Sequence, residues 1–224
     1  ASFRSSPIAR SSVSCADSSV PETSETNNTY ARYIQIGSDL VISAMTVPAK
    51  AGAGTTITVS ATTTNQGGGP ATPSVTRFYL STNAVWDGND VLLAGGDPVP
   101  DLAAGASDAG STPLTIPSAT ASGQYYLIAK ADADNAVVET SETNNALARV
   151  MQIGGDLVVS AFTVPARGGA GLPMVVTDTT ANQGAGPVGP TVTKFYFSAN
   201  ASFEISDTLL GSRGVADLDA AASS

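Results

Sequence analysis

Between residues 132 and 144 the chain crowds hard oxygen donors into one turn: Asp132, Asp134, Asn135, Glu139, Glu142 and Asn144. Ca2+ takes roughly six to eight such ligands, so this stretch is expected to hold Ca2+ as a cofactor. It is not an EF-hand, because the Asp132-x-Asp134 start lacks the required glycine and the spaced glutamate. The competing expectation is a solvated acidic turn with Asn in left-handed conformations. An N-terminal copy keeps Asp17, Glu22, Glu25 and Asn27 but has Cys15 opposite Asp132, so it should bind more weakly. A second, weaker cation candidate is Asp87, Asn89 and Asp90 around Gly88, preceded by Asn83. There a plain turn is the favoured reading, since the copy at Asn200, Glu204, Ser206 and Asp207 has lost the glycine.

Other reactive chemistry is sparse. Asn27-Asn28-Thr29 and Asn200-Ala201-Ser202 fit the N-glycosylation pattern, which arises often by chance in Ser- and Thr-rich chains. Trp86, the sole tryptophan, either packs beneath its loop or offers a platform for stacking sugars. The lone Cys15 has no internal disulfide partner and is either a free thiol or an intermolecular bridge. The chain has no histidine, which removes the commonest general base and most hydrolase triads. Asp97 with Asp101 could serve as acid and base, but nothing separates them from loop solvation. No enzyme is expected.

These residues sit in a repeating frame. Glu139-Thr140-Ser141-Glu142-Thr143-Asn144-Asn145 repeats the words of Glu22 to Asn28, a spacing of 139 − 22 = 117 residues. The same spacing relates Asp39-Leu40-Val41 to Asp156-Leu157-Val158, Asn65-Gln66-Gly67 to Asn182-Gln183-Gly184, and Phe78-Tyr79 to Phe195-Tyr196. It slips by one at Leu102 and Leu218. Within a unit, alternation predicts strands over 39–46, 55–64, 74–81, 90–94, 111–116, 123–131 and 146–153. Ile57, Val59 and Ala61 should face a core, as should Phe78 and Leu80, with Arg77 and Tyr79 outside. Gly67-Gly68-Gly69-Pro70 and Gly95-Gly96-Asp97-Pro98 read as loops. About seven short strands per unit, without helical periodicity, predict an all-β fold of tandem immunoglobulin-like sandwiches. The parts are 1–37, the back of a repeat; 38–154, a complete sandwich; and 155–224, the front of a second sandwich that stays incomplete within the chain.

The order of these words resembles the CARDB repeat, a cell-adhesion-related domain of bacterial and archaeal surface and secreted proteins. The resemblance covers 39–153 in full, 156–218 as a front part and 16–36 as a back part. It implies an extracellular or cell-surface β-sandwich module, often in tandem, and implies no particular ligand. Composition agrees: 13% of residues are charged and the net charge is −9, which argues against nucleic acid. No apolar run approaches the length of a membrane span.

The broken repeat predicts an interaction. The C-terminal part lacks its last strands, leaving an open groove and unpaired edges, while the N-terminal part is by register what that half lacks. One reading is a piece of a longer tandem surface adhesin or stalk that binds carbohydrate or protein. A second folds 1–36 back onto the same chain. The reading adopted is head-to-tail strand complementation between copies, building an extracellular filament as a homopolymer with Ca2+ stiffening the acidic turns. Donor anchors are Tyr30, Tyr33, Ile34 and Ile36. The acceptor walls are Leu157, Val159, Val175, Phe195, Phe197 and Leu209. Possession of a cell-surface or matrix carbohydrate partner is the corresponding expectation of the adhesin reading.

Overall fold

A computed structural model describes residues 8–14, 24 and 27–224. No helix occurs among the described residues. Packing divides the chain into two compact units, one of residues 1–47, 58–114 and 126–149, the other of 48–57, 115–125 and 150–224. The strands run in chain order as follows. At the N-terminus, β1 (Ile8–Ser14) and β2 (Thr29–Gln35) form an antiparallel hairpin, with Ile8 opposite Gln35 and Ser14 opposite Thr29.

The central repeat holds β3 (Leu40–Thr46), β4 (Lys50–Ala51), β5 (Thr56–Asn65), β6 (Ser74–Ser81), β7 (Val91–Leu92), β8 (Asp97–Val99), β9 (Ser107–Thr115), β10 (Gly123–Lys130) and β11 (Ala146–Ile153). One sheet has the order β3-β5-β9 and the other β4-β11-β10-β6-β7, with β8 also on β6. This is the β-sandwich that alternation predicts. Val59 and Phe78 are fully buried, with Ile57, Ala61 and Leu80 beside them in the apolar set. Arg77 and Tyr79 are only half-buried.

Three details depart from the sequence expectation. Asp97–Val99 is a strand rather than a loop: Pro98 has no amide to donate, yet the segment pairs antiparallel with Ser74–Thr76 at the sheet's edge, where proline is tolerated. β9 begins at Ser107 rather than 111, because its first residues are polar and carry no alternation signal. β3 contains a bulge between Ile42 and Ala44, so its core residues are Leu40, Ile42 and then Met45.

The C-terminal residues hold β12 (Leu157–Thr163), β13 (Thr177–Asn182), β14 (Thr191–Phe197) and β15 (Thr208–Val215), paired as β12·β13 and β14·β15. By the repeat they copy β3, β5, β6 and the β7–β8 segment. The bulge recurs, now between Val159 and Ala161. Gly67 and Gly184 show why the Asn-Gln-Gly words are kept: a Cβ on Gly67 would lie 2.4 Å from the Gly37 carbonyl oxygen, and one on Gly184 2.5 Å from the Gly154 carbonyl oxygen. Only glycine allows that approach.

Candidate functional site

The acidic turn between β10 and β11 has a buried floor, at Asp132, Glu139 and Asn145, and an exposed rim, at Asp134, Asn135 and Glu142. Asp132, with a positive φ of 40°, sits at its base and accepts the amides of Ala136 and Val137 on its two carboxyl oxygens at 3.0 and 2.9 Å. Asn135 is left-handed as well, with φ 50°. Asp134 turns outward into a forked ion pair with Arg77 at 2.9 and 2.8 Å, and that bond holds its carboxyl below the usual range. Glu139 reaches back across the turn. One of its oxygens accepts the Leu40 amide at the start of β3, and the other accepts Asn145 Nδ2 at 2.9 Å. Its own amide donates to Glu142 Oε1 at 3.3 Å, and Asn144 Nδ2 donates to Asp39 at 3.0 Å. Burial pushes the Glu139 carboxyl up to about 7; the Leu40 amide opposes this, while the charges of Glu142, Asp132 and Asp39 add to it.

This donor set does not fit a resident Ca2+. The carboxylates of Asp132, Glu139 and Asp134 are already spent on amides, on Asn145 and on Arg77, and each aims at a different partner. Among the described residues no three His, Cys, Asp or Glu side chains group as a metal site. The turn is solvated only at its rim, where Asp134, left-handed Asn135 and Glu142 are exposed. Glu139, Asn145 and Asp132 lie in the protein interior, and the motif staples the β10–β11 connection to the start of β3. The Thr140 amide bonds Ser38 O at 2.9 Å and Ser38 bridges Glu139, which completes the staple.

The sequence reading noticed Asn65 and Asn182 only as repeated letters, yet they organise both repeats. Asn65 Oδ1 accepts the amides of Asp39 and Gly67, both at 3.1 Å, and its Nδ2 donates to the carbonyls of Gly69 and Leu102. Asn182 repeats the pattern with the amides of Asp156 and Gly184, both at 3.0 Å, and the carbonyls of Gly186 and Leu218. The signal was present in the exact recurrence of Asn-Gln-Gly next to Asp-Leu-Val.

The Asp87 loop forms a turn in which its own carboxylates accept its backbone amides. Asn89 N donates to Asp87 Oδ1 at 2.7 Å and Asp87 N to Asp90 Oδ2 at 2.8 Å. The copy does the same without the glycine: Glu204 N donates to Asp207 Oδ2 at 2.9 Å and Ser202 N to Asn200 Oδ1 at 2.7 Å. The sequon residues Asn27 and Asn200 are exposed. Trp86 is partly covered, with Lys130 Nζ 4.0 Å from its ring centre and Tyr79 edge-on at 6.0 Å. Cys15 and the acidic residues Asp17, Glu22 and Glu25 lie outside the described residues.

The C-terminal strands leave an apolar face open. Val159 is 59% exposed where its counterpart Ile42 is 7%, and Phe162 is 57% exposed where Met45 is 7%. Phe162 stacks on Phe195 at 6.1 Å. Among the described residues β14 pairs only with β15, whereas β6 has β10 on its other side. A groove of about 610 Å³ follows that edge, taking Thr191 and Thr193 from one face of β14 and Val192, Lys194 and Tyr196 from the other, with Leu157 and Val159 opposite.

The expected acceptor residues separate accordingly. Leu157 and Val159 line the groove, Phe195 is half-buried and Phe197 is exposed. Val175 precedes β13 and stands at the position of solvent-facing Thr58. Leu209 lies opposite Tyr196 and copies exposed Leu92, so Leu210 is the copy of buried Leu93. Of the donor anchors, Tyr30, Ile34 and Ile36 are exposed, and the Tyr33 side chain lies outside the described residues.

The profile of the CARDB family matches residues 37–149. Among solved structures the chain is similar to a Pyrococcus furiosus CARDB domain crystallised with di-metal ions, at 22% identity and TM-score 0.40 over 52% of this chain and 89% of that one. It is similar to residues 272–376 of a candidate cell-surface protein from Methanosarcina acetivorans, at 24% identity and TM-score 0.40 over 53% and 93%. A Listeria innocua β-glucosidase shows 16% identity and TM-score 0.37 over 56% of this chain and 17% of its own. No curated protein matches the chain. No helix among the described residues is long and apolar enough to cross a membrane. With the profile covering just over half of the chain, from β3 into β11, the chain belongs to the CARDB family of cell-surface, adhesion-related domains.

Proposed function

We propose that the chain is a non-catalytic structural element of an extracellular or cell-surface assembly, joined head to tail by β-strand complementation. The observation that carries this reading is the unpaired edge of β14, beside a groove of about 610 Å³, in a chain whose β1–β2 hairpin is the register copy of β10–β11. In the central sandwich β10 occupies the matching edge of β6, with Leu127 opposite Leu80 and Ala129 opposite Phe78. A hairpin from a second copy laid along β14 would repeat that arrangement. The apolar fit comes from β2, because β1 is polar at Arg10, Ser11 and Ser12. Ile34 and Ile36 copy Met151 and Ile153, which are buried, so docking would take both from exposed to covered. Each such burial contributes about 1.5–3 kcal/mol.

The rival reading is a stretch of a tandem CARDB stalk or adhesin, in which a neighbouring repeat of the same polypeptide covers the groove. Family membership favours it, since CARDB repeats occur in series on surface proteins. Electron microscopy of the purified chain, beside a version lacking residues 1–36, separates the two. Filaments or chains of particles that vanish with the deletion support complementation; monodisperse particles from both leave the tandem stalk. The carbohydrate or protein partner belongs to the stalk or adhesin reading, while the extracellular location belongs to both.

A further inference from the structure

In the central sandwich the β10–β11 hairpin is held along both of its edges. β10 lies on β6, and β11 is met on its outer side by β4, a parallel partner with Lys50 opposite Gln152 and Ala51 opposite Ile153. The Gln152 amide donates to the Ala49 carbonyl at 2.9 Å, and the Gly154 amide to the Ala51 carbonyl at 3.0 Å. Residues 166–169 copy 49–52 at the 117-residue spacing, yet they form no strand. Gly168 and Gly169 are exposed where Ala51 and Gly52 are buried, and no strand among the described residues pairs with this segment.

We infer that residues 166–168 are a second acceptor surface, which closes as a parallel strand on β2 of another copy. This rests on the assembly proposed above and completes it, because β14 takes one edge of the incoming hairpin and 166–168 the other. By the register of β11 on β4, Arg167 comes to lie opposite Gln35 and Gly168 opposite Ile36. The amides of Gln35 and Gly37 would donate to the carbonyls of Ala166 and Gly168. Two bonded edges fix the hairpin's direction and register, whereas a single edge beside an apolar groove leaves it free to slip.

A second copy is the occupant because the side-chain chemistry of this junction is kept as well. Lys50 Nζ donates to the Gln183 carbonyl at 2.8 Å and lies 3.7 Å from Asp156. The copies are Arg167 on the accepting side, and Gln66 and Asp39 in the repeat that β2 leads into. Asp39 is buried and already bonded to Gln66 and Asn144, so the contact that carries over is Arg167 to the Gln66 carbonyl. Each boundary between copies would then repeat the boundary at Gly154, with a cation reaching across to an Asn-Gln-Gly turn.

Thiol cross-linking in a Cys15→Ser background reads this register directly. One protein carries Gln35→Cys and another Arg167→Cys, both at exposed positions, and the two are mixed and treated with a short bifunctional maleimide. Register partners on neighbouring strands lie about 4.8 Å apart, so a cross-linked dimer is expected from the mixture and from neither protein alone. Lys50→Cys with Gln152→Cys is the control, and closes within one chain. Arg167→Ala should raise the concentration at which assembly starts about threefold, with Arg167→Lys close to the natural protein and circular dichroism unchanged in both. Filaments in electron micrographs of the mixture without the dimer overturn this inference and leave strand complementation standing. An Arg167→Ala variant that assembles at the natural concentration overturns it as well. Monodisperse particles overturn both, and return the groove to a neighbouring repeat of the same polypeptide.

Discussion

Glu139 is the residue whose environment works hardest against its charge. Its carboxyl is lifted from the model-peptide range to about 7 by burial, while in the unfolded chain it titrates near 4.5. The folded state therefore holds a proton that the unfolded state releases between those values. Stability from this group is fully present below about 4.5 and is lost as pH rises through about 7, on the order of 3 kcal/mol in all. Asp134 and Asp178 act in the opposite direction, since their arginine partners lower them and their contribution is lost as pH falls. The isolating measurement is thus a difference. Urea melts of the natural protein and of Glu139→Gln, compared between pH 4.5 and 7.5, should converge at low pH and diverge at high pH, with the Gln variant the more stable at pH 7.5. Parallel curves would show that Glu139 is ionised throughout. Asn65 makes a second prediction at this scale. Asn65→Ala strands the amides of Asp39 and Gly67 and takes a donor from the carbonyls of Gly69 and Leu102, the latter keeping the Ala71 amide; it should cost on the order of 3 kcal/mol, whereas Gln66→Ala, which removes one contact to Asp39, should cost under about 1 kcal/mol.

At the scale of elements, the strands were largely legible because a strand with one buried face writes itself as alternation. Ile57, Val59 and Ala61 did so, and so did Phe78 and Leu80. What alternation could not show were the places where the backbone breaks its own period. The bulge in β3 carries the core from Ile42 to Met45, and its copy carries the matching face from Val159 to Phe162, a step that strict alternation along the strand does not reach. The acidic turn is ambiguous in the sequence for a related reason. Carboxylate density looks the same in a sequence whether it faces a cation or caps buried amides, and only the fold shows that Asp132 and Glu139 point at backbone.

The C-terminal strands carry one further departure from the repeat. Asp178 stands where the central sandwich has Ala61, and its side chain is 2% exposed. Arg213 stands where that sandwich has Asp97, and clasps Asp178 at 2.8 and 2.7 Å. Breaking such a pair leaves a covered charge without a partner, which is worse than having neither member. Arg213→Ala should lower the melting temperature of the C-terminal unit, and adding Asp178→Ala should recover most of the loss. A single variant as stable as the natural protein would mean that Asp178 reaches solvent.

For the whole molecule, charge and complementation set opposite demands. At a net charge of −9, two copies repel as they approach, and nothing in β2 offsets this electrostatically: its one charged residue, Arg32, already lies over the Tyr30 ring at 5.4 Å. Under the proposed complementation, contact between copies would come from apolar side chains such as Ile34 and Ile36 entering the groove beside Val159. Screening should then help rather than hinder. Raising NaCl from about 20 to 200 mM shortens the Debye length from about 20 Å to under 10 Å, which removes most of the repulsion between copies without weakening apolar burial. Light scattering should accordingly show faster and more complete assembly at the higher salt, and Ile34→Asp with Ile36→Asp should abolish it at both. Calcium at millimolar level should accelerate assembly no more than an equal ionic strength of NaCl, because the acidic turn has no open set of ligands to offer it. Assembly that weakens as salt rises would place the contact in ion pairs, and would move the interface away from β14.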